Sequence, residues 1–529
     1  MTHRLSLRVQ STHMRNLLTL LCLAAYCFST VQVPLKIWDN TIGGAGADVA
    51  VSAISTMDGG ILIVGTSSSG VGYDKTQPGF GSTDIWVVKL NASGIVEWDK
   101  TYGTSTYDYV SGVVQGLDGK YMIAAYTTGG ISGSKTEAAV GGRDYWLLGL
   151  DATGTLVWQN TIGGNFDDYT SDVVAVSGGY VVGGYSASGI SGDKTSASFG
   201  GYDYWLIKVD FTGNILWQYA FGGSANDYLR KVMRLSDGTY LLSGDSDSGV
   251  SGNKSQPSKG YKDIWLIKMA GGGTITWQKD IGGAEYDEVG DILETDDGHI
   301  MLAASSSSNI NEDKSEFSGN DYSYPCDEPD YGNWDDNSDQ WYLRLTASGE
   351  VEWEDTYQDY DQTDSKRIFQ TNSGRYAIVA AGYYDDGPDE MTLTTINDGG
   401  YVLWTGQING GLYFVDDECS SYYYTNGNTT IGDLFTMDDG SIIIVATSDA
   451  LENGYKSEDC LGDDTDDFWV IKLVPDTCTL MPLYADYDND DAGGDLVSAS
   501  CTSFSQYTIS TIADCDDTRS SIYTDAPEI

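Results

Sequence analysis

Apolar residues in this chain form short runs or occupy every second position, and glycine-containing turns separate the runs. Four such runs follow one another at 49–56, 61–66, 85–90 and 95–99. A period of about two residues is typical of β-strands, whereas helices repeat every 3.6 residues or so. The pattern therefore predicts four short antiparallel strands, named A to D, in one repeat of the chain.

Tryptophan repeats along the whole chain in two series. The first has intervals of 60, 60, 59 and 60 residues and then continues at unequal spacing: Trp38, Trp98, Trp158, Trp217, Trp277, Trp353 and Trp404. The second lies two positions after an aspartate, with methionine in one slot: Trp86, Trp146, Trp205, Trp265, Trp341, Met391 and Trp469. Both series predict seven repeats, and we expect each indole to fill space between neighbouring sheets.

The repeats predict a closed ring. One four-stranded sheet cannot bury both faces alone, so we expect an all-β fold, a seven-bladed β-propeller of four-stranded antiparallel blades. The chain begins with a strand D signal at 34–39, and the last repeat ends at Leu473 without a D strand. Residues 34–39 are therefore predicted to form the outer strand of the seventh blade. An open solenoid is the alternative.

The first thirty residues have the organisation of a secretory signal. Arginines precede an apolar run at 17–28, and the small residues Ser29 and Thr30 follow it. The run is shorter than the roughly 20 residues that span a bilayer. We predict a signal peptide at 1–30, a propeller at 31–473, no transmembrane segment, and a secreted or cell-surface protein. A membrane anchor is the alternative.

Charge and rare residues exclude several classes of function. The chain has 78 acidic and 28 basic residues, with a formal net charge of -50, so no nucleic-acid partner is expected. Beyond residue 30 the one histidine is His299, beside a turn, which predicts a surface or packing role. The cysteines beyond residue 30 are even in number and compatible with disulfides, although their pairing is open: Cys326, Cys419, Cys460, Cys478, Cys501 and Cys515.

The B–C and D–A loops of a propeller open on the same side, and such loops commonly carry function. The B–C loops repeat a lysine followed by serine or threonine, and these lysines are predicted to be structural; a ring of ligand-binding cations is the alternative. Insertions on this side carry the candidate ligand-binding residues, since exposed aromatic rings suit carbohydrate or protein: Trp334, Tyr422, Tyr423 and Tyr424. Disulfide-linked loops without any partner are the other interpretation.

The composition changes after Leu473, which predicts a short, loop-rich C-terminal tail at 474–529. Asp486, Asp488 and Asp490 alternate along one turn of this tail. Carboxylate oxygens are the ligands that calcium prefers. The pattern is not an EF-hand, because flanking helices and a twelfth-position glutamate are not evident in the sequence.

Two segments of the chain resemble known protein families. The segment 483–529, with its alternating aspartates and its Asp-Cys-Asp-Asp ending, resembles the MopE-type metal-binding repeat of bacterial surface proteins. That resemblance implies a disulfide between Cys501 and Cys515 and these calcium ligands: Asp486, Asp488, Asp490, Asp514, Asp516 and Asp517. The first half of the predicted propeller, especially the segment 200–210 (GGYDYWLIKVD), is similar to repeats in large secreted proteins of gliding and marine bacteria.

These observations predict a secreted or cell-surface binding and adhesion module for carbohydrate or a surface protein, with a calcium-stabilised tail. The alternatives are a polysaccharide-active hydrolase or lyase and a structural spacer of a surface assembly. No catalytic residue is assigned, and an enzyme is the less favoured possibility.

Overall fold

The structure is a computed structural model that describes residues 36–310, 313–315, 338–357, 363–371, 374–382, 390–408, 429–449, 456–458, 460–461, 465–474, 480–485 and 495–501. Residue contacts group Lys36–Asp476 into one compact unit, and the described residues after Asp476 belong to a second unit. No helix that could cross a membrane occurs in the described part of the chain.

The larger unit consists of seven antiparallel sheets of four strands each, named blades 1 to 7. The first strand of the chain is β1 (Lys36–Ile42). Blade 1 has β2 (Asp48–Ser55), β3 (Ile61–Ser67), β4 (Asp84–Leu90) and β5 (Val96–Tyr102). Blade 2 has β6 (Asp108–Gln115), β7 (Tyr121–Thr127), β8 (Asp144–Leu150) and β9 (Leu156–Ile162). Blade 3 has β10 (Asp168–Val176), β11 (Gly179–Ser186), β12 (Asp203–Val209) and β13 (Ile215–Phe221).

The remaining blades keep the same order of strands A, B, C and D. Blade 4 has β14 (Asp227–Arg234), β15 (Tyr240–Ser246), β16 (Asp263–Met269) and β17 (Ile275–Ile281). Blade 5 has β18 (Asp287–Glu294), β19 (Ile300–Ser306), β20 (Asp339–Leu345) and β21 (Val351–Tyr357). Blade 6 has β22 (Thr363–Gln370), β23 (Tyr376–Gly382), β24 (Glu390–Ile396) and β25 (Val402–Gln407). Blade 7 has β26 (Thr429–Thr436), β27 (Ile442–Ser448) and β28 (Asp467–Leu473), and β1 is its fourth strand.

Neighbouring blades pack face to face around a common axis. The described apolar side chains form seven buried clusters, one at each junction between blades. The A strand of every blade contacts the A strands of both neighbours, including the last with the first. The predicted seven-bladed β-propeller is therefore confirmed, and the open solenoid is wrong.

The N-terminal strand closes the ring. Strand β1 pairs antiparallel with β28, which places Thr41 opposite Trp469. The Asp39 carboxylate accepts hydrogen bonds from Ser457 N at 2.8 Å and Trp469 Nε1 at 3.1 Å. This is the closure that the sequence predicts, although the strand continues beyond residue 39 to Ile42.

The two tryptophan series lie at different depths. The C-strand series is fully buried at blade junctions: Trp86, Trp146, Trp205, Trp265, Trp341 and Trp469. The D-strand members whose side chains are described are half-buried, and most of them contact the glycine turn of the next blade, as Trp98 contacts Gly154; at Gly273 Tyr219 makes this contact instead. Gly154 has a φ of +75°, and a Cβ there would come within 2.6 Å of the indole. Both the backbone and the neighbouring ring therefore exclude a larger residue.

The repeated lysines are buried within the blades. These four are at most 2% exposed: Lys75, Lys135, Lys194 and Lys254. In blade 4 the Nζ of Lys254 donates to Ser246 Oγ at 2.8 Å and lies 2.5 Å from Asp280 Oδ2. The same ammonium lies 5.6 Å from the ring centre of Trp265. A buried ammonium needs such partners, so the geometry supports the predicted structural role.

A polar side chain of strand D connects the C-strand tryptophan to the B–C loop. In blade 3 the Gln218 amide oxygen accepts from Trp205 Nε1 at 3.2 Å and from Thr195 N at 2.9 Å. The residues that accept from the corresponding indole in other blades are Asp99, Gln159, Gln278, Glu354 and Asp39. The residue after the lysine, such as Thr195, thus donates its backbone N–H to the strand D side chain that also binds the indole.

His299 lies in the A–B turn of blade 5. Its Nδ1 is 3.0 Å from Asp297 and its Nε2 is 3.2 Å from Glu352. Because the A–B turns lie on the opposite side from the B–C loops, this geometry agrees with the predicted surface or packing role.

Candidate functional site

Most site residues predicted from the sequence lie outside the described residues. This holds for Trp334 and Tyr422, Tyr423 and Tyr424, for the six aspartates of the predicted calcium site, and for Cys515. In the second unit the described residues form a hairpin of β29 (Leu480–Ala485) and β30 (Asp495–Cys501), which ends at Cys501. The ligand-binding, calcium and disulfide assignments therefore stay predictions. No group of metal-ligating side chains occurs among the described residues.

The B–C and D–A loops meet on one side of the ring, named the loop face. Asp74 N in a B–C loop donates to Gly43 O in a D–A loop at 3.1 Å, and Asp193 N likewise donates to Gly163 O at 2.9 Å. Because strands A to D alternate in direction, both kinds of loop must emerge on this side. These contacts agree with the prediction that the B–C and D–A loops open on the same side of the ring.

A cavity of about 570 Å³ lies among the A strands. Its lining includes the charged residues Asp172, Arg230, Lys231, Glu288, Arg367 and Asp433. Three are acidic and three are basic, whereas the whole chain has 78 acidic and 28 basic residues. The cavity lining is therefore far less acidic than the protein as a whole.

Charges of alternating sign occupy one level of the A strands in blades 3 to 7. The residue at this register directly follows the bulge in blades 3, 4, 5 and 7, whereas the bulge of blade 6 lies nearer the start of its strand. In chain order these residues are Asp172, Lys231, Asp291, Arg367 and Asp433. Burial lowers the pKa of Lys231, but the nearby aspartates, Asp291 foremost, raise it above its usual value. The ammonium therefore stays charged between its acidic neighbours.

The aspartates of this ring connect one blade to the next. Asp172 accepts from Val232 N at 3.0 Å, and Asp433 accepts from Ala53 N at 2.9 Å. Each bond spans two neighbouring blades. The ring of charges thus stabilises the inner wall, and its carboxylates are already engaged by the backbone.

Nine tyrosines on the loop face form a nearly continuous aromatic area, which we name the tyrosine surface. Seven of them make ring contacts with one another at centroid distances of 4.9 to 6.4 Å: Tyr107, Tyr109, Tyr126, Tyr169, Tyr185, Tyr202 and Tyr228. The other two, Tyr261 and Tyr286, stack on each other at 5.5 Å. Tyr126 and Tyr185 also line the cavity, so the surface continues to its edge.

Two cations join parts of this surface. The Arg143 guanidinium lies 5.2 Å from the ring centre of Tyr169 and donates to its hydroxyl at 2.8 Å. Lys262 Nζ lies 5.9 Å from the ring centres of both Tyr228 and Tyr286. Such contacts hold the rings in place. The two cations therefore link side chains of neighbouring blades.

The outer rings of the tyrosine surface are open to solvent. Tyr107, Tyr261 and Tyr286 are 52%, 64% and 51% exposed. The inner rings are less exposed, and burial raises the pKa of Tyr126 and of Tyr169 to about 12. These phenols therefore keep their protons near neutral pH and can donate a hydrogen bond to a ligand.

The tyrosine surface was missed from the sequence, although a signal was present. The second residue of strand A is Tyr109, Tyr169 and Tyr228 in blades 2 to 4, but Val49 and Thr430 in blades 1 and 7. A position whose residue changes between blades is not required by the common packing. Repeat positions whose residue varies between blades, such as the second residue of strand A, therefore indicate this site better than the positions that all blades share.

Neither a protein-family model nor a curated protein matches this sequence. Similar solved structures include BBS1N in complex with ARL6DN, with 9% identity, a TM-score of 0.43, and coverage of 85% of this chain and 99% of that chain. The Neurospora crassa Pan2 WD40 domain has 9% identity and a TM-score of 0.37, covering 82% and 95%. A PL25 ulvan lyase bound to a saccharide has 10% identity and a TM-score of 0.43, covering 77% and 93%.

All these TM-scores are below 0.5, and the ligands and activities of those proteins are not carried over to this chain. Fold and site together define its class. It is a seven-bladed β-propeller with a tyrosine-lined loop face on blades 2 to 4 and on the loop that leads into blade 5.

Proposed function

We propose that this protein is a secreted or cell-surface binding module that holds carbohydrate on the tyrosine surface. The observation that supports the proposal most is the contiguous group of nine tyrosines beside a cavity of about 570 Å³. Exposed apolar areas of this kind commonly mark binding sites. Each ring offers a flat apolar face and a hydroxyl, which match the C–H faces and hydroxyls of a sugar.

The pKa values of two inner tyrosines make these residues unsuited to the lyase alternative. A lyase needs a base that removes a proton from the sugar, and a tyrosine serves only when its pKa falls toward the working pH. Burial instead raises the pKa of Tyr126 and Tyr169 to about 12. These residues are therefore suited to hold a sugar and poorly suited to deprotonate it.

The test is a glycan-array screen of the mature chain, followed by titration calorimetry with the best saccharide. The variants are Tyr107→Ala and Tyr286→Ala, because these half-exposed rings can be removed without opening the core. We expect each to weaken binding by about tenfold, as the loss of one stacked ring predicts.

The matched control is Tyr401→Ala. Tyr401 is 74% exposed and lies in a C–D turn, on the side opposite the loop face. Its removal should leave the dissociation constant unchanged. Equal affinities of wild type and both tyrosine-surface variants, or no saccharide bound at all, would reject the proposal.

A surface protein is the second candidate partner, and one observation favours it. The tips of four B–C loops expose an aliphatic side chain to between 63% and 70%: Val71, Ile131, Ile190 and Val250. Serine at all four positions should abolish binding to a protein-coated surface if this partner is correct. The same variant should retain saccharide binding if the tyrosine surface is the site.

For the tail we propose calcium binding by the six predicted aspartates. Extracellular calcium sites have dissociation constants on the order of 0.1 to 1 mM, so millimolar calcium would stabilise the tail by about 1 kcal/mol. Limited proteolysis of the full chain with and without calcium checks this. Cleavage after residue 474 should slow with calcium, and D486N/D488N/D490N should remove the difference.

A further inference from the structure

Arg230 and Asp245 are a pair that distinguishes blade 4. Arg230 is the extra residue of the bulge in β14, and Asp245 lies near the end of β15. In blades 1, 2, 3, 5 and 7 the bulge residue is Val51, Ser111, Ser171, Gly290 and Gly432. The residue equivalent to Asp245 in the same blades is Thr66, Tyr126, Tyr185, Ser305 and Thr447. Other blades fold without this pair, so blade packing does not require it.

The pair fixes the guanidinium by one edge. Arg230 Nε donates to Asp245 Oδ2 at 2.7 Å, and Asp245 is fully buried. The other carboxylate oxygen accepts from Val289 N at 3.2 Å. A buried carboxylate is costly unless it is paired and hydrogen-bonded. In the described part of the chain, Arg230 is the one cation at bonding distance from Asp245. The need of Asp245 for a positive partner therefore holds Arg230 in place.

The remaining edge of the guanidinium makes no hydrogen bond to a described residue, although the Glu288 carboxylate lies near enough to attract it. The side chain of Arg230 is 43% exposed and lines the cavity together with Tyr126 and Tyr185. The two terminal nitrogens of an arginine match the two oxygens of a carboxylate or sulfate group. Bulges are common beside functional sites, where they redirect one side chain.

We propose that Arg230 binds the anionic group of an acidic saccharide, a carboxylate or a sulfate ester, whose sugar ring lies on the tyrosine surface. This inference rests on the proposed carbohydrate binding and narrows the ligand to a charged one. The balanced charge of the cavity lining makes it compatible with an anion despite the acidity of the whole chain.

The experiment measures affinity by titration calorimetry for matched pairs of saccharides. One pair is oligogalacturonate and its methyl ester, which share a backbone and differ in charge; the second pair is dextran sulfate and dextran. Wild type should bind the charged member of one pair at least tenfold more tightly than the neutral member. The pair that shows the difference identifies carboxylate or sulfate as the ligand group.

Arg230→Lys keeps the positive charge beside Asp245 but removes the paired terminal nitrogens. It should lose most of the preference for the charged saccharide while its affinity for the neutral one stays the same. A second variant, R230Q/D245N, removes both charges together and should also lose the preference for the charged saccharide. Agreement between the two variants would show that the loss does not come from misfolding of one of them. Arg234→Lys, an exposed arginine at the other end of β14, is the control and should change nothing.

The outcomes separate the two proposals. Equal binding of charged and neutral saccharides by wild type, or an undiminished preference in Arg230→Lys, overturns the role of Arg230. Loss of binding in Tyr107→Ala under those same conditions would still support carbohydrate binding on the tyrosine surface. If the protein binds neither pair of saccharides and no other glycan, both the role of Arg230 and carbohydrate binding on the tyrosine surface are overturned.

Discussion

The outer half of each blade and the loop face at its inner edge follow different rules. In most blades the C-strand indole, the D-strand polar side chain and the buried lysine recur with nearly the same contacts, and Met391 replaces the indole in blade 6; we name these three features the buried framework. At the inner edge, tyrosine is present in blades 2 to 4 and replaced elsewhere. Residues shared by most blades maintain the fold, and residues that differ between blades are the ones available for function.

This comparison predicts that damage to the framework costs stability, whereas damage to the tyrosine surface costs binding. The largest effect should come from removing β1. A chain that starts at residue 43 lacks the outer strand of blade 7 and exposes the edge of β28. We expect its melting temperature, measured by circular dichroism, to fall by about 10 °C or more.

The control for that truncation is a chain that starts at residue 36, which keeps β1 intact. It should melt at the same temperature as the mature protein. If both truncations melt alike, the closing strand contributes nothing to stability and the ring is held by its other contacts.

Next in size is the loss of a framework lysine. Lys254→Met leaves Asp280 buried without its cation, and we expect a loss of about 3 to 5 kcal/mol in the free energy of unfolding. Guanidinium titration measures it, and K254M/D280N should recover at least half. Lys120→Met, at an exposed ion pair, is the control and should change the free energy by less than about 0.5 kcal/mol. Similar losses for both lysines would contradict the framework role.

Acidity should affect the stability of the fold through buried aspartates at the start of the C strands, such as Asp467. Burial raises the pKa of Asp467 to about 6 from a usual value of 3.8. The folded state therefore binds a proton more tightly than the unfolded chain, and this residue's ionisation removes up to about 3 kcal/mol of stability as the pH rises from 4 to 6.

Asp467→Asn should reduce the slope of unfolding free energy against pH over that range. The exposed Asp118→Asn should keep the wild-type slope there. A wild-type slope in Asp467→Asn would show that the carboxylate is ionised throughout.

The smallest effect concerns two glycines with the same backbone conformation. Gly59 and Gly154 have φ of +79° and +75°, but a Cβ meets no atom within 4 Å at Gly59 and the Trp98 indole at Gly154. Gly59→Ala should cost about 1 kcal/mol for the backbone alone. Gly154→Ala should cost about 1 to 2 kcal/mol more in denaturant titrations. Equal costs would mean that Trp98 moves aside freely.

Much of the fold could be predicted because each blade solves the same packing problem. Trp86, Trp205 and Trp265 occupy equivalent junctions, so a regular spacing in sequence becomes a regular spacing in space. The closing role of β1 followed from the missing D strand of the last repeat. The burial of Lys254 was harder to predict, because its partner Asp280 is on strand D, 26 residues further along the chain.

The sequence predicts a site on the loop face, in insertions that lie outside the described residues, and those assignments stay predictions. The tyrosine surface lies on the same side of the ring, on residues that the repeat pattern does not single out. Aromatic residues in the insertions are visible in the sequence because they break the repeat, whereas Tyr109, Tyr169 and Tyr228 lie inside ordinary strands. Their contact with one another depends on how neighbouring blades are placed around the axis. No local pattern carries that information.

The amino-acid sequence by itself determined the number of blades, their strand order and the way the ring closes, since alternation and spacing are properties of the chain. Only the tertiary structure decided which side chains meet at the inner edge. Residues such as Tyr126 and Tyr169 are 43 positions apart and become neighbours because adjacent sheets face each other there. Proximity across blades depends on packing, and packing is settled only when the ring is complete.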